Sequence, residues 1–177
     1  MIKKLTLLML MAGISKAGFA QYKPVEPGSS LKFSIKNLGF GVEGTFSGFE
    51  GMIDFDPQSL SGSKFDVTIN AATINTDNNL RDEHLKGDSY FDVKNSPRIT
   101  MESNKITAMG KGTYQFNGLL TIKGKSRPIS FPFTASPFAD GYAFKGSFKM
   151  KRKDYSIGGT STVSDELEVN INVTAKK

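Results

Sequence analysis

Segment after segment of this chain places large apolar side chains at every second position, with polar ones between. Leu31, Phe33 and Ile35 alternate with Lys32, Ser34 and Lys36, and Phe65, Val67 and Ile69 with Asp66, Thr68 and Asn70. Ile129, Phe131 and Phe133 alternate with Ser130, Pro132 and Thr134, and Leu167, Val169, Ile171 and Val173 with Glu168, Asn170, Asn172 and Thr174. Successive side chains of a strand point to opposite faces, so each segment has one apolar and one wettable face. No long amphipathic helix is available to cover the apolar faces. They must turn toward one another, in a sandwich or inside a closed barrel. The distinction bears on function, because a barrel of about eight strands lies between a filled interior and room for one small ligand.

The first twenty residues follow a different rule. Lys3 and Lys4 precede an apolar run from Leu5 to Ile14, and Gly18-Phe19-Ala20 puts small residues before Gln21. This is the pattern of a secretory signal peptide. The run is too short to span a bilayer, which takes about 20 apolar residues. The expectation is export, to a periplasm or the medium, with residues 1–20 as signal and 21–177 as one domain, long enough to build a core. The chain contains no cysteine, so disulfides, a thiol nucleophile and a cysteine lipid anchor are excluded. Loss of Lys3, Lys4 and Lys16 with the signal lowers the formal charge from +6 to +3, an ordinary surface rather than that of a nucleic-acid binder.

Along the domain, Tyr22 to Gly28 reads as a lead-in or edge strand broken by Pro24 and Pro27. Strands follow at about 30–37, 51–55, 63–74, 98–103, 104–109, 112–117, 119–124, 127–135, 142–151 and 166–175. Gly39, Gly41, Gly44 and Gly48 punctuate the stretch holding Val42, Phe46 and Phe49, as bulges or bends of a curving wall do. Residues 75–97 break the pattern. Turn and capping residues there lead into a short helix near 77–87, with Leu80, His84 and Leu85 on one side. A connection of that length between strands is a candidate lid.

Catalytic constellations are scarce. His84 is the single histidine and there is no cysteine, so a cluster of metal ligands is lacking, and the Gly-x-Ser-x-Gly motif of a serine triad built on His84 is absent. Asp54/Asp56 and Asp165/Glu166 read as solvated carboxylates of turns and strand ends. Asn79-Leu80-Arg81-Asp82 reads as a capped helix held by an Arg–Asp pair, its functional alternative being a lid over a barrel mouth. In the basic run 149–153, parity sends Lys149, Lys151 and Lys153 outward. Arg152 then turns inward with Phe148 and Met150, where a buried charge needs a partner such as Asp154 or Asp92. The positive signal is aromatic: 14 phenylalanines against 5 tyrosines and no tryptophan. These rings either fill a core or line a tunnel.

The ordered motifs Phe33-Ser34-Ile35-Lys36-Asn37, Glu43-Gly44-Thr45-Phe46-Ser47-Gly48-Phe49, Phe55-Asp56-Pro57, Ile74-Asn75-Thr76-Asp77-Asn78 and Arg81-Asp82-Glu83-His84-Leu85 run through the first half of the domain. Tyr90-Phe91-Asp92-Val93, Ser96-Pro97, the stretch from Asn117 to Gly124, Lys151-Arg152-Lys153-Asp154-Tyr155 and Val163-Ser164-Asp165-Glu166 continue them. Together they resemble the YceI-like family of exported, lipocalin-like proteins over nearly the whole domain. That family often has His at the position of Asn37 and Gly at that of Ser156. The resemblance implies an all-β fold: a single closed antiparallel barrel of about eight strands, lipocalin-like, with a short helical insertion. It further implies a bound polyisoprenoid or isoprenoid-quinone-like lipid, without catalysis, cofactor, metal or nucleic acid.

By parity, the expected lipid-binding residues begin with Phe33, Ile35, Phe46, Phe55, Val67 and Ile69. Leu85 and Phe91 come from the insertion, and Met101, Phe116, Leu120 and Ile122 from the middle strands. Ile129, Phe131, Phe133, Phe144, Phe148, Val169 and Ile171 complete the set. Arg81, Asp82 and His84 are expected to anchor the lid. A filled barrel serving protein interaction or envelope stress, and an enzyme acting on an isoprenoid at the mouth, are the alternatives; for assembly, a homodimer is an option.

Overall fold

The structure, a computed structural model, describes residues 20–159 and 162–177. The expected signal segment lies outside these apart from Ala20. Eight strands form one closed antiparallel barrel in sequence order. They are β1 (Gln21–Asn37), β2 (Phe40–Asp54), β3 (Lys64–Asn75), β4 (Arg98–Gly110), β5 (Thr113–Ile122), β6 (Lys125–Phe138), β7 (Gly141–Lys151) and β8 (Val163–Lys176), with the helix α1 (Asn79–Lys86) between β3 and β4. Closure runs through β1 and β8, paired from Lys23↔Lys176 to Asn37↔Val163. Closure leaves no strand at the edge of the sheet, and every strand turns its apolar face inward.

The strands are longer and fewer than the punctuated sequence suggests. Segments read separately at 98–103 and 104–109 are one strand, β4, and those at 112–117 and 119–124 meet in β5 through Gly118. The lead-in at Tyr22 is likewise the start of β1. Breakers are absorbed as register shifts. In β2 the pairing with β3 slips on either side of Ser47, where Gly48 has φ +74°. The amides of Gly48 and Phe49, released from the ladder, donate to Oε1 of Glu26 at 2.6 and 2.8 Å. At Gly118 a Cβ would come within 2.0 Å of the Glu102 carbonyl, so only glycine lets β4 and β5 approach there.

The junction between β6 and β7 is open at its upper end. β6 and β7 pair only from Phe133↔Gly146 to Phe138↔Gly141, so the stretches Arg127–Pro132 and Ser147–Lys151 share no ladder. The cause lies in β6. The Ala135 amide donates to Gly112 on the β5 side, so amides at even positions face β7. Pro128 and Pro132 occupy two of those positions and have no N–H to give. Side chains cross the gap instead, with Phe131 and Phe148 stacked at 4.9 Å.

The barrel has unlike ends. The lower end, with the connections at 55–63, 111–112 and 139–140, is plugged by aromatics. Phe55, 1% exposed, lies 5.1–6.4 Å from the rings of Phe65, Tyr114, Phe133, Tyr142 and Phe144. The upper end carries the β1–β2 hairpin, α1 and the turn Arg152–Tyr155. Tyr155 is buried there, and burial pushes its hydroxyl up to about 12, with Asp154 adding and Arg127 opposing. Folding thus favours the protonated phenol. Its contribution is complete below the ordinary value of 10 and is lost as pH rises from 10 toward 12. The expected loss is about 2–3 kcal/mol, measured as a fall in the urea midpoint that tracks phenolate absorbance.

Candidate functional site

Inside the barrel, above the aromatic plug, lies a cavity of about 550 Å³. All eight strands contribute to its wall, among them Phe33, Phe46, Ile69, Met101, Leu120, Phe131, Phe148 and Val169. Phe65, Phe133 and Phe144 also belong to the wall and contact Phe55, so they form the floor. Polar side chains collect at the upper end, where Asn37, Thr76, Arg81, His84 and Arg152 border the opening. An apolar shaft with a polar collar matches an amphiphile in orientation: chain inside, polar end at the mouth.

Of the residues selected from parity, Phe33, Ile35, Phe46, Val67, Ile69, Leu85, Phe91, Met101, Phe116, Leu120, Ile122, Phe131, Phe133, Phe144, Phe148, Val169 and Ile171 line the cavity. Two do not. Phe55 lies below the floor as the centre of the plug. Ile129 lies on the stretch of β6 that has no ladder with β7 and packs between two apolar clusters without reaching the wall. Sequence reasoning also passed over wall residues. Leu31, Phe65, Leu167 and Val173 share the parity of their selected neighbours and were legible. Tyr90 and Ile157 enter from connections, where no periodicity marks them.

The lid is tied at Thr76 rather than by an Arg–Asp pair. Asn78 caps α1 by accepting from the Arg81 amide at 3.0 Å. The buried Asp82 carboxylate accepts from both the amide and the hydroxyl of Thr76, at 2.9 and 2.5 Å. Arg81 reaches the same residue, donating from Nε to its hydroxyl at 2.7 Å and from Nη2 to its carbonyl at 2.6 Å. Arg81 and Asp82 therefore meet through Thr76. His84 is exposed and its ring lies 4.8 Å from that of Tyr90. Thr76→Val removes the shared hydroxyl and leaves a buried carboxylate under-satisfied. We expect a loss of about 1–3 kcal/mol in thermal or urea unfolding.

Arg152, 5% exposed, turns inward as parity indicates, although β7 ends at Lys151 and the residue sits in a 3₁₀ turn. The carboxylates considered for it are directed elsewhere: Asp92 accepts from Asn95, and Asp154 is exposed. Its guanidinium donates instead to the carbonyls of Ile157 at 2.7 Å and of Val163 and Ser164 at 3.0 Å, with Gly159 at 3.3 Å. It thus ties the β7–β8 connection beside the mouth. Ser156 next to it has φ +53°, the left-handed region that favours glycine, and its hydroxyl accepts from Lys125. Asn37 accepts from the Thr162 hydroxyl at 2.6 Å, holding the hairpin to β8. Among the described residues no group of three His, Asp or Glu side chains could hold a metal ion, and no helix is long and apolar enough to cross a membrane.

The family model described as "YceI-like domain" matches residues 22–175. A "UPF0312 protein" of Pseudomonas aeruginosa strain LESB58 is 32% identical over 187 aligned positions, covering 98% of this chain and 97% of the relative. The crystal structure of Burkholderia cenocepacia BcnA superposes with a TM-score of 0.79 at 27% identity, covering 84% of this chain and 96% of that one. A structure described as a polyisoprenoid binding domain from Saccharophagus degradans, implicated in plant cell wall breakdown, shares the fold. Its TM-score is 0.69 at 12% identity, over 90% of this chain and 99% of that one.

Proposed function

The chain belongs to the YceI-like family, and from that premise we propose that it is an exported carrier that holds one long-chain amphiphile, a polyisoprenoid or isoprenoid-quinone-like lipid, inside the barrel. The observation that carries this reading is the 550 Å³ cavity walled by aliphatic and aromatic side chains of all eight strands and collared by polar ones. Each CH₂ taken from water contributes about 0.8 kcal/mol, so a ten-carbon stretch supplies roughly 8 kcal/mol before ordering costs. The polyisoprenoid binding domain of Saccharophagus degradans, which shares the fold, supports the ligand class. The basic, apolar, small-residue order of residues 1–20 supports export to a periplasm or the medium.

Binding without catalysis suits the mouth. The best-placed polar groups, Arg81 and Asp82, are engaged in holding α1 to Thr76. The filled-barrel alternative does not suit an interior with this much unfilled space.

The test is native mass spectrometry of protein purified without detergent, followed by solvent extraction. A discrete adduct that extracts as an apolar chain is the expected result. A bare protein mass that stays bare after incubation with isoprenoid lipids overturns the carrier reading.

A further inference from the structure

The apolar surface of this protein does not stop at the cavity mouth. Leu38, Phe40 and Leu80 are 70%, 77% and 86% exposed, the three most exposed large apolar residues described, and all three stand at the upper end. The β1–β2 hairpin carries Leu38 and Phe40, and its base residues Asn37 and Val42 border the cavity. Leu80 is on α1 at the same end and is itself part of the cavity lining. Apolar surface therefore runs from the interior over the rim and outward.

The hairpin tip is also costly to maintain. Asn37 pairs with Phe40, and the two residues between them, Leu38 and Gly39, have φ +51° and +84°. This is a type I′ turn, whose first position favours Asn, Asp or Gly. A leucine there bears left-handed strain while facing solvent, and local folding gives no reason for it.

From these observations we propose that the upper end docks on the surface of a phospholipid bilayer, with Leu38, Phe40 and Leu80 inserted among the lipid chains at the interface. The inference rests on the carrier reading, and the occupant follows from the continuity of the surface. A chain drawn from a bilayer across this rim passes from apolar lipid to apolar protein without crossing water. Lys36, Lys151 and Lys153 lie at the same end, where long cationic side chains can reach phosphates. Asp77, Asp88 and Asp154 share that end, so apolar insertion rather than net charge carries the attachment, and neutral vesicles suffice.

The test is co-sedimentation of the full mature chain with phosphatidylcholine vesicles, with and without added phosphatidylglycerol. The wild type is compared with the double substitution L38N/F40T. Asn-Gly is a favoured type I′ pair and threonine suits an exposed strand position, so this variant keeps or raises the melting temperature. We expect the wild type to pellet with both vesicle types and the variant to lose at least about tenfold in partition coefficient. Leu80→Ser, which leaves the hairpin intact, should lose affinity as well. Failure of the wild type to bind, or equal binding by L38N/F40T, overturns the proposal. A wild-type dimer in solution that the double substitution dissolves into monomers overturns it too, by showing that a second copy covers the patch. The adduct mass separates this from the carrier reading. A lipid-loaded protein that ignores vesicles sinks docking alone, and a bare protein that binds them sinks the carrier alone.

Discussion

Ile171→Asp should yield a folded barrel that purifies empty. Ile171 lines the cavity from β8 and is only half-buried, paired with Leu31 on one side and Gly146 on the other. In the unliganded barrel an aspartate there faces open space that water can occupy, so the fold tolerates it. A lipid chain in the same space excludes that water and leaves the carboxyl without partners. An uncompensated polar group of this kind costs about 4 kcal/mol, roughly a thousandfold in affinity. The check is the adduct in native mass spectrometry beside an unfolding curve. Loss of the adduct with a retained cooperative transition is expected, and full lipid occupancy in the folded variant would place the ligand elsewhere.

Phe55→Ala should be the most destabilising single change. Five aromatic rings surround Phe55, and three of them, Phe65, Phe133 and Phe144, also line the cavity. Deleting a buried phenylalanine ring costs about 3–5 kcal/mol, because close-packed neighbours collapse only in part. A lower urea midpoint measures that loss. With its support gone the floor can also sink, so the surviving folded fraction should take up longer chains than the wild type. A stability change below about 1 kcal/mol would show that Phe55 is not the keystone of the plug.

Much of this was legible from alternation alone. Parity assigns each strand its inner face, and closure follows once the apolar faces have no helix to cover them. What parity omits is depth along the barrel axis. Phe55 has inward parity but follows the last residue of β2, where the wall has already closed over the plug. Nor does it report where a strand ends. Arg152 points inward as expected, but from a turn whose neighbours Ile157, Gly159, Val163 and Ser164 present carbonyls that no local pattern announces. Glycine and proline mislead for a different reason. A sheet closing on itself needs the bulges they produce, so residues that ordinarily punctuate lie within continuous strands. The collar was the least visible part. Thr76 joins α1 to the barrel through four hydrogen bonds to Arg81 and Asp82, yet a lone threonine before a helix carries no sequence signature of that role.

The unzipped junction between β6 and β7 gives the container an elastic girth. Around most of the circumference, stretching the wall means breaking main-chain hydrogen bonds, which makes the cylinder stiff. Along the upper half of this line, stretching means sliding two stacked rings, Phe131 and Phe148, past each other while the long Lys125 side chain follows Ser156, and dispersion contacts yield gradually. Pro128 and Pro132 keep the line from zipping shut. If the barrel holds a chain as proposed, the aromatic plug limits how far that chain can reach, and this seam is where the wall can widen around it.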